Sequence, residues 1–426
     1  MKVFVEGYGC SANLAETEQI KGFVQTQNFE LADNPAMADI IIVNTCAVKK
    51  RTEFAMQRRI RFLCKVKKPG CKIIASGCLS KINPNALQQF GSLTPAIVQT
   101  GTELQEISTE LGVKEAEFSP ALPQVRFHEK IEIIPIAKGC LSACSFCGTR
   151  FARGKLRSFP VFALNEKFRQ SIGKTPEIWL ASQDNGCYGF DLKTDLPSLV
   201  QTLLSNEGDF RIRLGMLSPQ YVQRYYDEFV SLFSDERLYR FIHLPLQSGN
   251  NRVLSEMKRQ YTADYFTQLV SDLRKDIGEF SLSTDIIAGF PTETKPEFKD
   301  TLELVETIGF DTVNISRFGV RPNTGAAAMI QMTDREKTIR SHELHRLCRN
   351  MFLKANQKLV GRTEKVLISE KAKINGFVGR TNCYKPVVVP DAVLGEFAVV
   401  QIREAFPNFV KGIVVEKQPI GRIQTR

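Results

Sequence analysis

The sequence predicts an α/β chain in three parts. An N-terminal α/β domain with a parallel sheet occupies residues 1–115, a central partial barrel of six β/α units occupies 131–355, and a small antiparallel β-barrel occupies 361–420. Three observations predict this. Apolar strand-like runs alternate with helical stretches through the first 355 residues, the pattern of a parallel sheet. Six such units follow residue 130, too few for the eight of a complete barrel. Beyond residue 360 the runs become short and are separated by turn residues, as in a small barrel of antiparallel strands.

The elements follow in order. Lys2–Gly7 reads as a strand, Ala12–Thr26 as a helix, and Asp39–Asn44 and Lys72–Ser76 as further apolar strands. No glycine-rich nucleotide-binding pattern accompanies them. Residues 116–130, with Pro120 and Pro123, form a linker. Candidate strands of the TIM-like partial barrel are Ile131–Ala137, Glu177–Ser182, Arg211–Met216, Phe241–Pro245, Leu282–Ala288 and Thr312–Arg317. Helices lie between them, among them Tyr261–Lys275 and Lys295–Ile308. The last five strands are Lys365–Ser369, Phe377–Arg380, Pro386–Val389, Phe397–Ile402 and Val410–Val415, with turns at Asn375-Gly376 and Pro390-Asp391.

Composition narrows the class. With 43% apolar and 24% charged residues, the 426-residue chain is an ordinary globular protein. It has no apolar run of membrane-spanning length, and its first residues lack the apolar core and cleavage site of a secretory signal. A cytoplasmic protein with no membrane contact is expected. Eleven cysteines in a reducing compartment point to metal binding rather than disulfides, and four histidines argue against a zinc hydrolase. The net charge of +11 favours an anionic partner, nucleic acid first. Residues 361–426 carry 11 Lys/Arg against 6 Asp/Glu. A second basic stretch, Lys49–Arg51, Arg58–Arg61 and Lys65–Lys68, is either an RNA contact or a solvated helix face.

Cys140, Cys144 and Cys147 stand directly after the strand Ile131–Ala137. Their C-x3-C-x2-C spacing offers three thiolates, soft ligands suited to iron–sulfur clusters. A cube with four metal corners held by three cysteines leaves one iron open to a small molecule. A closed zinc site would need a fourth ligand nearby, and the nearest histidine, His128, precedes the strand. Cys10, Cys46 and Cys78 each follow a predicted strand, so a parallel sheet would gather them at one edge, where they could hold a second cluster. The alternative is that they are simply buried. Cys64, Cys71, Cys187, Cys348 and Cys383 do not share this placement and read as core or surface cysteines.

Over nearly its whole length the chain resembles the methylthiotransferases among radical S-adenosylmethionine (SAM) enzymes. The resemblance is carried by Gly9-Cys10-Ser11-Ala12-Asn13 (with Glu16 where Asp is usual, and Glu18), Asn44-Thr45-Cys46-Ala47-Val48, Gly77-Cys78, the cysteine loop and Ala152-Arg153-Gly154-Lys155-Leu156-Arg157-Ser158. It continues through His243-Leu244-Pro245-Leu246-Gln247-Ser248-Gly249, Thr284–Pro291 and Arg321-Pro322-Asn323-Thr324, and the last segment is similar to an RNA-binding TRAM barrel. The resemblance implies two [4Fe–4S] clusters. Cys140, Cys144 and Cys147 would hold the one that binds and reductively cleaves SAM. Cys10, Cys46 and Cys78 would hold an auxiliary cluster that delivers sulfur, with a second SAM supplying the methyl group. It makes Phe146, Ser182, Gln183, Asp184, Gln247 and Asp285 candidates for contacting SAM. The bland readings are packing for Phe146 and capping for Asp285. His243 reads as a core histidine, and Arg153, Lys155 and Arg157 as a phosphate anchor or a solvated loop.

Among the family's substrates, charge favours tRNA over a basic ribosomal protein. Gly148-Thr149-Arg150-Phe151 departs from the Ile-Ile/Val-Pro run of enzymes acting on isopentenyladenosine, and Ser182–Gly189 is similar to the branch acting on N6-threonylcarbamoyladenosine. The resemblance therefore implies methylthiolation of that base at C2, at position 37 in the anticodon stem-loop. An electron donor and a sulfur source are further implied partners. No single side chain is expected to be catalytic, because the two clusters carry the chemistry.

Overall fold

The computed structural model describes residues 1–88, 97–99 and 103–418. Residues 419–426 of the basic C-terminal segment lie outside them. In chain order the first elements are β1 (Lys2–Gly7), α1 (Ser11–Thr26), β2 (Glu30–Leu31), β3 (Ile40–Thr45), α2 (Lys50–Val66), β4 (Lys72–Gly77), α3 (Cys78–Ile82), α4 (Asn85–Gln88), β5 (Ile97–Gln99) and α5 (Leu104–Leu111). Next come β6 (Ile131–Pro135), β7 (Ala137–Lys138), α6 (Thr149–Arg153), β8 (Arg157–Ser158), α7 (Val161–Ser171), β9 (Glu177–Ala181), α8 (Leu196–Leu204) and β10 (Arg211–Leu214). After them run α9 (Pro219–Val222), α10 (Tyr226–Ser231), β11 (Phe241–His243), α11 (Asn251–Glu256), α12 (Ala263–Ile277), β12 (Ser281–Ala288), α13 (Lys295–Ile308), β13 (Thr312–Arg317) and α14 (Asp334–Gln357). The chain ends in β14 (Thr363–Lys371), β15 (Phe377–Arg380), β16 (Pro386–Val389), β17 (Phe397–Ala405) and β18 (Val410–Gln418).

These elements form two compact units. The first gathers Met1–Phe127, Ala137–Phe159 and Gly319–Ala328. Its sheet is wholly parallel, in the order β2-β1-β3-β4-β5. β3, Ile-Ile-Ile-Val-Asn-Thr, is buried at all six positions, as a central parallel strand covered on both faces must be. Val3, Val5, Ile20, Phe23, Ile42 and Ile74 pack into the core of one face. The sequence reading found β1, β3 and β4 but not β2, whose two residues are too short to show periodicity, nor β5.

The second unit gathers His128–Ile136, Pro160–Phe318 and the chain from Met329 on. β6, β9 and β10 form one parallel sheet and β11, β12 and β13 another. The two meet where Tyr239 N donates to Ile212 O at 2.9 Å and Leu217 N to His243 O at 2.9 Å. Six strands thus follow one another in chain order, and among the described residues no pairing joins β13 back to β6, so the barrel is partial as expected. α12 shows why the helices cover it: Phe266, Leu269, Val270, Leu273 and Ile277 recur at helical spacing and are buried.

The last five strands close into a barrel in the order β14-β15-β16-β18-β17. Four pairings are antiparallel, but β16 and β18 run parallel (Val387↔Val410, Val388↔Lys411), where an all-antiparallel barrel is expected. Parity is the reason: strand direction cannot alternate all the way round a ring of five. Val366, Ile368, Val387, Val389, Val400 and Ile402 fill its core.

Candidate metal centre

In a sheet of order 2-1-3-4-5, the chain reverses its direction of travel between β1 and β3. A crevice forms there outside the carboxyl ends of the strands, where open α/β sheets bind ligands. Cys10 lies three residues beyond β1, Cys46 directly follows β3, and Cys78 opens α3 directly after β4. The sheet gathers all three at that edge, as the sequence predicts. Gly9 (φ +115°) and Gly77 (φ +88°) adopt left-handed backbone, and a Cβ on Gly9 would lie 2.5 Å from Cys46 Sγ. Cys46 and Cys78 are buried, whereas Cys10 is exposed at the mouth of a dense surround of protein atoms. Burial pushes the Cys46 thiol up to about 11, with Cys10 and Cys78 adding to the shift. Desolvation and then Cys78 raise Cys10 in the same way.

Arg153 is the centre of this region, and it corrects an expectation. It is not an exposed phosphate anchor: it is 5% exposed. Its Nε donates to Cys78 Sγ at 3.2 Å, Nη2 donates to Asn13 Oδ1 at 2.7 Å, and Nη1 is ion-paired with Glu16. Burial alone would lower its pKa, but Cys78 and Glu16 outweigh burial and hold the guanidinium charged. Asn13 also ties the loop to β3, donating to Tyr8 O at 2.6 Å and Asn44 O at 3.3 Å. The motif residues Asn13, Glu16 and Arg153 therefore act together. Their sequence separation hid this, because no local period links positions 13 and 153. Lys155 and Arg157 remain exposed.

The second cysteine loop belongs to the same unit. β7 and β8 pair as a short antiparallel ladder (Ala137↔Ser158, Lys138↔Arg157), and the loop opens from it. Glu103 clamps both strands, accepting from Lys138 Nζ at 3.0 Å and Arg157 Nη2 at 3.2 Å. Gly139 (φ +77°) leaves no room for a side chain beside the Lys155 carbonyl. Within the loop, Ser142 N donates to Cys140 Sγ at 3.3 Å and Cys147 N to Cys144 O at 3.2 Å. Burial and then the neighbouring Cys144 raise the Cys147 thiol. Phe146 is half-buried.

The segment carrying Arg321-Pro322-Asn323-Thr324 completes the unit. Ala326 N donates to Ser145 O at 2.9 Å. Arg321 Nη1 donates to buried Glu53 Oε2 at 2.6 Å, and Asn83 Nδ2 donates to Glu53 Oε1 at 2.8 Å. Glu53 and Glu103 carry no signal in sequence; only the fold gives them partners. All six motif cysteines thus lie in one compact unit, as two sets of three thiols on glycine-relieved loops. The donors are all sulfur, and the backbone is held clear by residues that a Cβ would obstruct. These residues fit iron–sulfur clusters in donor chemistry.

The other candidates lie in the second unit. Ser182, Gln183 and Asp184 stand at the carboxyl end of β9. Asp184 is fully buried, and its Oδ1 accepts from Gly186 N and Ser218 N, each at 3.0 Å. Burial raises its carboxyl. Ser182 Oγ donates to Asn185 Oδ1 at 2.6 Å, and Gln183 is half-buried. Gln247 has φ +69° and pairs with β12 beyond the end of β11, its N–H donating to Asp285 O at 2.8 Å. Asp285 lies in mid-strand, the fifth of the eight residues of β12, and pairs with Asn314 of β13. Its Oδ2 is 3.0 Å from His243 Nε2, so His243 is a partnered, largely buried histidine.

Known proteins match this arrangement segment by segment. Residues 2–98 match the Uncharacterized protein family UPF0004, residues 134–305 the Radical SAM superfamily, and residues 357–415 the TRAM domain. A Pyrococcus horikoshii protein named "Probable threonylcarbamoyladenosine tRNA methylthiotransferase" is 34% identical, covering 97% of this chain and 100% of its own. The Homo sapiens threonylcarbamoyladenosine tRNA methylthiotransferase is 32% identical over 96% of this chain and 73% of its own. Among solved structures, the radical SAM methyltransferase TsrM from Kitasatospora setae, with cobalamin and a [4Fe-4S] cluster bound, has a TM-score of 0.55 at 12% identity. That match covers 76% of this chain and 74% of TsrM, and it is a likeness of fold alone. With its radical SAM domain, the cluster and SAM such a domain uses, and about one-third identity to these relatives over nearly its whole length, the chain belongs to the threonylcarbamoyladenosine tRNA methylthiotransferases.

Proposed function

We propose that this protein methylthiolates C2 of N6-threonylcarbamoyladenosine at position 37 of tRNA. The observation that carries the reading is the gathering of six cysteines, in two sets of three, within one compact unit braced by Arg153. Cys140, Cys144 and Cys147 hold the [4Fe–4S] cluster that binds SAM, and Cys10, Cys46 and Cys78 hold an auxiliary one. When bound, the two supply reductive cleavage of SAM and the sulfur for insertion. The remaining work belongs to the protein. The loop 137–158 and the sheet edge beyond β1, β3 and β4 shield Cys46, Cys78 and Cys144 from water and leave Cys10 open to solvent. Phe146, beside the cysteine loop, is a SAM contact in the first unit; Ser182, Gln183, Gln247 and Asp285 are SAM contacts in the second, where Asp184 keeps the β9 end in shape through its two backbone hydrogen bonds.

In this reading residues 1–115 form the methylthiotransferase domain, 131–355 the radical SAM domain, and 361–420 the RNA-binding TRAM domain. The anticodon stem-loop is the partner, and an electron donor and a sulfur source complete the cycle. Such a substrate fits a cytoplasmic enzyme. Among the described residues, no helix is long and apolar enough to cross a membrane.

The test is incubation of anaerobically reconstituted, reduced enzyme with SAM and tRNA bearing either modified adenosine, followed by mass spectrometry of the nucleosides. A methylthio gain on threonylcarbamoyladenosine alone is expected. A gain on isopentenyladenosine alone overturns the substrate and keeps the chemistry.

A further inference from the structure

We propose that the solvent face of α2 is a second RNA-docking surface of this enzyme, separate from the TRAM barrel. It grips the phosphate backbone of the tRNA and stacks its unpaired bases. This rests on the reading of the chain as a tRNA-modifying enzyme.

The charge is concentrated. Residues 49–68 contain nine Lys/Arg and one acid, in a chain whose net charge is +11. Together with the basic C-terminal segment they account for the surplus, and the remainder of the chain is close to neutral. The one acid, Glu53, does not dilute this face: it is buried and taken up by Arg321 and Asn83.

The helix sorts its residues by side. Glu53, Met56, Ile60 and Leu63 are buried. Arg51, Phe54, Arg58, Arg61, Phe62 and Lys65 are exposed, at spacings that fall on one helical face. Arg59 lies at the flank of this face and makes a two-pronged bond to Glu6, Nη2 to Oε2 at 2.6 Å. A stripe of cations with no acid is a phosphate-tracking surface.

The two aromatic rings are the independent observation. Phe54 and Phe62 are 52% and 47% exposed on an otherwise strongly polar face. Apolar burial gives no reason for them to be there. Lys50 Nζ lies 5.8 Å from the Phe54 ring, and exposed Arg58 stands one helical turn from both rings, four residues after Phe54 and four before Phe62. Rings interleaved with cations are the combination that holds single-stranded RNA, phosphates on the charges and bases on the rings.

A basic amphipathic helix can also lie on a membrane. Here it does not, because Met56, Ile60 and Leu63 are already spent in the protein core. α2 begins four residues after Cys46 and runs on for 17 residues, about 25 Å. RNA held along it is led to the cysteine edge of the sheet.

The experiment measures binding of a tRNA transcript to the reconstituted full-length enzyme across a salt series. In the triple variant Arg51→Gln/Arg58→Gln/Arg61→Gln, affinity should fall at least about tenfold and the log–log salt slope by about two to three units. In Phe54→Leu/Phe62→Leu, affinity should fall about tenfold with the slope unchanged, as lost stacking requires. Unchanged circular dichroism and melting show that both variants fold. Wild-type affinity and slope in the triple variant overturn the proposal. So does a loss confined to a polyglutamate probe with tRNA binding intact, which would assign the face to an acidic protein. The modified-base assay is read separately: binding lost in the variants but no product from the wild type would overturn the functional reading and leave this surface standing.

Discussion

Arg153 donates its Nε–H to the sulfur of Cys78, 75 residues away in sequence, at 3.2 Å, while its other nitrogens hold Asn13 and Glu16. One planar guanidinium thus satisfies three acceptors in a buried site, which a lysine ammonium cannot match in geometry. Removing it leaves buried Glu16 without its bonded counter-charge, with only the more distant attraction of Lys138. Arg153→Gln should therefore destabilise the metal-free protein by about 3–5 kcal/mol in urea unfolding. Glu16→Gln on that background should restore part of the loss. A single variant as stable as the parent would mean that Glu16 reaches solvent.

The two cysteine sets should separate by iron count. Replacing Cys10, Cys46 and Cys78 by Ala should leave about half the iron and intact SAM cleavage, since the other loop keeps its three thiols. Replacing Cys140, Cys144 and Cys147 should abolish SAM cleavage. Iron unchanged in the first variant would sink the N-terminal ligand set.

Much of this architecture was legible because its signals are local. β1, α13, β13, β15 and β16 run between the residues that periodicity and turns mark. The placement of Cys10, Cys46 and Cys78 followed from one rule, that carboxyl ends of neighbouring parallel strands share an edge. What sequence could not give is pairing at long range. Glu16 with Arg153, Glu53 with Arg321 and Glu103 with Lys138 are chosen by the fold. Residues 137–159 follow a strand of the partial barrel yet pack in the unit of the N-terminal sheet, which no linear reading of domain boundaries reveals.

Tyr384 should be the bolt of the second unit. It sits between β15 and β16 at φ +61°, a conformation costly for a side chain this large. Its ring meets Tyr239 at 4.8 Å and Phe241 at 5.1 Å, and its hydroxyl donates to Glu177 Oε1 at 3.1 Å. Arg213 lies 5.2 Å from the same ring. Tyr384→Ala should cost about 3–5 kcal/mol, and calorimetry should show the C-terminal barrel melting apart from the β/α strands. Tyr384→Phe, which loses only the hydrogen bond, should cost about 1 kcal/mol. A single unshifted transition in the alanine variant would show that the barrel is held elsewhere.

Glu297 should give the protein a definite acid dependence. It closes the capping box of α13, accepting from Thr294 N at 2.7 Å, and takes Arg252 Nη2 at 2.8 Å. The Arg252 bond is the main cause that pulls its carboxyl from 4.5 down to about 2. A carboxyl with a lowered native pKa stabilises the fold above its unfolded value and loses that contribution as pH falls through the native one. Glu297→Gln keeps a residue able to close the capping box but removes the charge. At pH 7 the variant should be less stable by about 1 kcal/mol, well below the full shift because Arg252 is nearly half exposed and screened. The gap should narrow below pH 4.5 and vanish near pH 2 in urea unfolding of the metal-free protein. A gap constant over that range would mean that the helix cap, not the ion pair, carries the stabilisation.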